Sequence, residues 1–360
     1  MALNVKTAQE LVKDNLIVRH YAGSRSYGTA LPSSDTDIRG VFIAEPVNIR
    51  TPFFPIREAN VSDEEDTVLY ELNQFMKLCT ECNPNVIETL WVREQDITEF
   101  SVGYQVLRNG RDKLLSKKIA YTTSGYALSQ LKRIKGHNKW INNPQPVDAP
   151  QQKDYVSLIH NFTSFKILAS DFKRVFNEAQ ENHRLVPFGG NIYGIYWVPG
   201  KRLFDHTGTL ISEFEEGEAD KLGTPLMLVR FLKEQHEQQH TIWKNYWQWK
   251  RERNVVRSAL EEQHGYDTKH AMHLVRLLRM GAEALQTGQV NVFRPDHEEL
   301  LAIRDGAWTY EKVVEYAVEM DNWIQNELYQ KSELRKAPDV KAAAEMMLHV
   351  QDLMWGLRGA

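Results

Sequence analysis

The stretch from Tyr21 to Gly40 constrains this chain more than any other. The apolar run Leu16 to Val18, continued by Tyr21 and Ala22, reads as a buried strand that stops at Gly23-Ser24. After a short break, Asp35-Thr36-Asp37 opens a second strand running from Ile38 to Ala44. Residues two apart on a strand share a face and lie roughly 6–7 Å apart along it. Two carboxylates held that way can share divalent metal ions, and two such ions about 3.5–4 Å apart can clamp a phosphoryl group for in-line attack. Gly23 lets the backbone come close to a ligand, and N–H groups at a turn or helix start attract phosphate. One segment therefore offers a triphosphate cradle, Gly23 and Ser24, beside a metal-binding pair, Asp35 and Asp37.

Gly-Ser, then roughly ten residues, then Asp-x-Asp resembles the signature of the DNA polymerase beta superfamily of nucleotidyltransferases. The finer pattern, Gly-Ser-Arg-x-Tyr-Gly leading into Ser-Asp-x-Asp-x-Arg-Gly, resembles its RNA-repair-pathway branch, and Gly23 to Gly28 and Ser34 to Gly40 match it throughout. Either half is weak alone; joined at this spacing between strand-like runs they are specific. The resemblance implies an α+β protein with a polymerase-beta-like core, a small mixed sheet with helices. It also implies a magnesium-dependent enzyme, with manganese as the alternative ion, that moves NMP from an NTP to an acceptor hydroxyl and releases pyrophosphate. Its implied acceptor is an RNA end, in tRNA repair or modification, and Arg25 and Tyr27 of the first motif are implied substrate-binding residues.

Sites of this class need a third acidic side chain, and Asp66 and Glu71 are the candidates. They bracket the strand-like Thr67-Val68-Leu69-Tyr70, which follows the acidic run Asp63-Glu64-Glu65. If that strand runs antiparallel to the second, its end returns beside Asp35 and its start lies about 17 Å off. This favours Glu71 as catalytic; both stay candidate metal ligands. The structural alternative for Glu71 is a carboxylate at a helix N-terminus. Arg39, two residues after Asp37, shares its face and can hold a phosphate or a carboxylate. Asn83-Pro84 starts a helix, and Glu88 beyond it is either a buried orienter of basic residues or an exposed charge.

From Lys113 onward the chain reads as mostly helical, with helices over 113–135, 155–181, 219–263, 268–287 and 310–331. Val186 to Val198, apolar alternation around Gly189-Gly190, reads as an inserted β-hairpin. This gives a catalytic core over 1–110 and a helical domain over 111–360 that completes the cleft. In the helix after Asp267, Lys269, His273 and Arg276 recur at i, i+4, i+7 and form one basic stripe. With His270 they are candidate binders of phosphate, whose charge the carboxylates cannot offset. The Lys-His, His and Arg-Leu elements here also resemble the branch's second motif. Two basic patches with nearby aromatics, Lys132–Trp140 and Lys250–Asn254, suit RNA contact.

Other strings carry less. His236-Glu237-Gln238-Gln239-His240 matches a zinc-peptidase helix, but its polar surroundings argue against a buried zinc site. Cys79-x-x-Cys82 stands without a second cysteine pair and reads as core. With only two cysteines there is no disulfide framework, and a reducing, cytoplasmic setting is expected. Against 48 acidic residues stand 44 basic ones, a net charge of −4, which argues against a surface coated for bulk nucleic-acid binding while allowing a local basic groove. No apolar run approaches the roughly 20 residues of a membrane span. The same catalytic core could instead nucleotidylate a protein or a small molecule such as another nucleotide. A module that binds NTP or RNA without catalysis would need no complete carboxylate set.

Overall fold

The computed structural model describes residues 5–60, 66–167, 170–178, 180–212, 222–253 and 255–356. The acidic run Asp63-Glu64-Glu65 and Asn254 lie outside them. The chain divides into two compact units, Met1–Ile141 with Val256–Ala360, and Asn142–Val255. The expected boundary after residue 110 falls inside the first unit.

That unit begins with α1 (Ala8–Asn15), started by a capping box in which Thr7 and Glu10 satisfy each other's backbone N–H. There follow β1 (Leu16–Ala22), α2 (Gly23–Tyr27), β2 (Asp37–Phe42), α3 (Pro46–Arg50), β3 (Glu58–Asn60) and β4 (Thr67–Glu71). After them come α4 (Leu72–Thr80), α5 (Pro84–Ile87), β5 (Ile97–Phe100), α6 (Val102–Asn109) and α7 (Lys118–Asn142). The five strands form one sheet in the order β3-β4-β2-β1-β5. β1 pairs antiparallel with β2 and β5, and β4 pairs antiparallel with β3 but parallel with β2. Alternation along β2 splits the core between the two faces. Val41 and the following Ile43 pack with Phe75 and Met76 of α4, while Phe42 and Ala44 meet Leu11 of α1 and Leu69 of β4.

The second unit contains β6 (Val156–Asn161), α8 (Phe172–Glu178), β7 (Glu181–Gly189), β8 (Ile192–Arg202), β9 (Met227–Phe231) and α9 (Lys233–Glu252). Its strands form an antiparallel sheet in the order β6-β9-β8-β7 around a separate core that includes Leu185, Ile195, Leu203 and Val229. The hairpin read from the sequence is β7–β8, turning through Gly189 and Gly190, both at positive φ. Two expected helices are corrected here: 155–181 opens with β6, and 219–263 holds β9 before its helices. Val156, Leu158, Val229 and Phe231 face one another across that pairing, which periodicity within either segment does not reveal.

The chain returns to the first unit through α10 (Val255–His264), α11 (Thr268–Thr287), α12 (His297–Arg304), α13 (Tyr310–Trp323), a π-helical turn (Ile324–Leu328), α14 (Tyr329–Lys331) and α15 (Val340–Gly356). Leu274, Val275 and Leu278 of α11 share the large core with β1, β2, α4 and α7. α15, which the sequence reading did not anticipate, packs on α6, where a Cβ at Gly103 would meet Val350 at 3.2 Å. Its Trp355 donates to the carbonyl of Ala44 at 3.1 Å. The fold is thus α+β, a small mixed sheet with helices followed by a largely helical C-terminal region. No helix among the described residues is long and apolar enough to cross a membrane.

Candidate active site

The motif residues meet because β1 and β2 pair antiparallel with Ala22 opposite Asp37. Gly23, next along, adopts φ +60 and starts α2. A Cβ built on Gly23 would lie 2.0 Å from an Asp37 oxygen, so the carboxylate occupies the space a side chain would take. No side chain caps the start of α2, and Ser24 stands half-buried in its first turn. The helix is held from below: Ser26 donates to the Gly23 carbonyl at 3.1 Å, and the backbone N–H of Arg294 donates to the Tyr27 carbonyl at 3.1 Å. Gly28 closes it at φ +79 against Phe293. Arg25 is exposed, over the Tyr21 ring at 6.0 Å.

The third carboxylate differs from the expectation. β4 runs parallel to β2, with Ile38 opposite Thr67 and Phe42 opposite Glu71. Asp66 therefore lies beside Asp37, and Glu71 ends up roughly 17 Å further along the strand. Glu71 is buried and caps α4, accepting from the backbone N–H of Asn73 at 2.7 Å. Burial pushes its carboxyl pKa up, opposed by the N–H groups at the helix start. It is a structural cap, which was the other reading of its position.

Asp66 takes φ +29, a left-handed conformation that aspartate tolerates better than most residues. Its carbonyl accepts from Arg39 Nη1 at 2.7 Å, and the same Nη1 donates to the Ile38 carbonyl at 2.8 Å. Arg39 thus ties the start of β4 to β2 through backbone carbonyls. Burial and a hydrogen bond with the Asp66 carboxyl raise the pKa of Asp37, while Arg39 and Lys269 pull it down. Two carboxyl groups in contact favour either a shared proton or a cation between them. All the donors are oxygens, the set magnesium prefers, so the residues fit that ion. Asp35 is exposed just ahead of β2, and Asp35, Asp37 and Asp66 are not mutually within 4.8 Å.

α11 supplies the positive charge, though not as one exposed stripe. Asp267 caps its start and Gly288, at φ +67, closes it. Lys269 is exposed and near enough to lower the pKa of Asp37. His273 lies deeper; burial, together with Arg276 and Lys269, holds its imidazole well below the usual pKa, so it stays neutral. Arg276 is buried and stacks 3.8 Å above the Tyr27 ring, 4.0 Å from Glu88. Tyr27 in turn donates to Glu88 at 2.8 Å. Arg276, Tyr27 and Glu88 therefore support α2 from beneath, which corrects Arg276 and Tyr27 as direct phosphate ligands and makes Glu88 the buried orienter. His270 turns away, its Nε2 3.5 Å from Asp267.

Buried basic residues from beyond α11 complete the support, and the sequence reading did not include them. Arg294 is 1% exposed and pairs with Glu283 at 2.7 Å and Asp296 at 2.8 Å, while Arg304 reaches the Thr29 carbonyl at 3.4 Å. Their signal was an Arg-Pro-Asp run between helices, which composition alone does not mark. Elsewhere, His236 accepts no metal role: its Nε2 meets the Pro150 carbonyl at 3.0 Å. Cys79 and Cys82 are buried free thiols. Lys250 and Arg253 lie over Trp247 and Trp249, so the described part of that patch is stacked internally. Lys132, Arg133 and Lys135 are exposed on α7.

A Gly-Ser turn, an Asp-Asp contact and a capped basic helix recur together where backbone must approach phosphate beside a cation. No curated protein and no solved structure matches the chain. Residues 3–148 match the model of the RNA repair pathway DNA polymerase beta family, and over that stretch the chain belongs to this family.

Proposed function

We propose that the chain is a polymerase-beta-type nucleotidyltransferase that transfers NMP from an NTP to a hydroxyl at an RNA end. The observation that carries this reading is the contact of Asp37 with Asp66 against the side-chain-free surface of Gly23, with Lys269 acting on Asp37 from α11. The backbone N–H groups at the start of α2, with Ser24 and Arg25, receive the triphosphate. Lys269 offsets its charge, and Arg39 fixes the strand that carries Asp66. Magnesium, when bound, is held by Asp37 and Asp66 with Asp35 beside them, and supplies charge stabilisation to the phosphates. The acceptor oxygen attacks the α-phosphorus, its O–P bond forms as the bond to pyrophosphate breaks, and the hydroxyl proton leaves to a carboxylate oxygen or water. The RNA acceptor is supported by the family match and the exposed basic residues of α7.

The test is transfer from each of four α-labelled NTPs with magnesium and cellular RNA, comparing the wild type with Asp37→Asn and Gly23→Ala. The expected result is labelled RNA and released pyrophosphate, both reduced at least about 100-fold in the variants, since either change disrupts groups acting on transition-state charge. Gly23→Ala puts a methyl group where the Asp37 oxygen lies, at a φ alanine disfavours. Nucleotide binding without pyrophosphate release would leave only a binding module, and label appearing on protein would move the acceptor from RNA.

A further inference from the structure

The ends of α7, α10 and α11 converge on a cluster outside the carboxylate pair. His137 Nδ1 lies 3.2 Å from Asp267 Oδ2 and 3.7 Å from Glu261 Oε1. Ligand atoms of the three residues all lie within 4.8 Å of one another, which holds for no other three such residues among those described. His270 Nε2 is 3.5 Å from the same Asp267 oxygen, and its ring centroid is 6.0 Å from that of His137. Glu261 and Asp267 are 2% and 0% exposed. Two carboxylates buried this deeply need cationic partners.

The distances select the kind of partner. Around a four-coordinate ion with ligand bonds of about 2.0–2.1 Å, neighbouring ligand atoms are separated by about 3.3 Å. The measured 3.2, 3.7 and 3.5 Å bracket that edge. They are longer than the roughly 2.8 Å of a charge-assisted hydrogen bond between imidazolium and carboxylate. The supporting contacts also resemble an oriented ligand set. Asp267 uses Oδ1 to cap α11, accepting from the His270 N–H at 3.0 Å, and this points Oδ2 at both imidazoles. Beside His137, Asn138 donates to the Gly265 carbonyl at 2.9 Å and fixes the α10–α11 turn, and the Trp140 ring stacks 6.1 Å from the imidazole.

We propose that His137, Glu261, Asp267 and His270 form a structural site for a divalent transition-metal ion of the zinc class. Two imidazoles with two carboxylates suit zinc better than magnesium, whose preferred donors are all oxygens. Four protein ligands leave no open position, so the site is closed and non-catalytic. Its place is at the start of α11, immediately before Lys269. Metal binding joins residues more than a hundred positions apart in the chain, the ends of α7 and the α10–α11 turn. It fixes the direction from which Lys269 reaches Asp37.

The test uses the full chain, stripped with chelator and reloaded with zinc, or with cobalt as a spectroscopic probe, in magnesium-containing buffer. The expected result is about one zinc per chain by elemental analysis, with the intense visible bands of tetrahedral cobalt. His137→Gln and Glu261→Gln should each lose that ion, and Asp37→Asn should keep it. Zinc should also raise the wild-type melting temperature, a readout that does not depend on a variant folding. Folded wild type that takes up no zinc at micromolar concentration, or uptake unchanged in both ligand variants, would overturn the site and leave a hydrogen-bonded His–carboxylate cluster. Neither result bears on the nucleotide-transfer reading.

Discussion

Asp66 and Glu71 differ by one methylene and five positions, yet the structure gives them different work. Asp66 is exposed, left-handed and in contact with Asp37, whereas Glu71 is buried and spends an oxygen on the first turn of α4. Asp66→Asn should therefore abolish nucleotide transfer, by at least about 100-fold, while shifting the melting temperature little, because an exposed side chain is altered. Glu71→Ala should do the reverse: loss of a cap costs about 1 kcal/mol, and somewhat more at a buried position, with transfer per folded molecule kept. Paired activity and thermal-melt measurements check this. A Glu71→Ala protein that is stable but inactive would return the third-carboxylate role to it. The site's first two elements were readable because Gly23 and Asp37 are joined by one short connection, so local spacing determines their meeting. The third was not, because its position depends on whether β4 runs with or against β2, and no residue in Thr67–Glu71 encodes that.

At the level of elements, the Tyr27–Glu88–Arg276 contact ties α2, the 3-10 turn Glu88–Leu90 and α11 into one support. Burial pushes the Glu88 carboxyl up to about 7, against the pull of Arg276 and the Tyr27 hydroxyl. The folded state thus holds this proton more tightly than the unfolded chain, whose glutamate titrates near 4.3. The stabilising contribution is complete below that value and is lost as pH rises through about 7. Glu88→Gln removes the titration, so the variant's melting temperature should gain on the wild type's between pH 5 and pH 8. The gain is bounded by about 1.4 kcal/mol per pKa unit. Parallel curves would mean that Glu88 stays ionised throughout. α11 itself was legible to the residue, since Asp267 and Gly288 mark both ends. The depth of its basic residues was not: Lys269 and Arg276 are spaced as one stripe, but only packing against α2 decides that one is exposed and the other buried.

For the whole molecule, the informative fact is that the two cores share no residue. The large core draws on segments up to Ile134 and again from Tyr266, and the second on Val156 to Val229. The α-helices after residue 255 therefore belong with the sheet that carries Asp37, and the sequence alone, reading helices continuously from 113, set the division too early. The second unit is an insertion whose two junctions leave and re-enter one place: His137 and Glu261, each a few residues inside the first unit, approach to 3.7 Å. A flexible Gly/Ser segment of about eight residues has a root-mean-square span of about 16 Å, enough to join the two helix ends there. Replacing 142–255 with such a segment should yield a protein with the helical circular-dichroism signature of the first unit and a single cooperative melt. Its midpoint should stay within several degrees of the first unit's transition in the intact chain, because no side chain of the large core is removed. A non-cooperative melt with exposed apolar surface would show instead that the inserted sheet is required for the first unit to hold its fold.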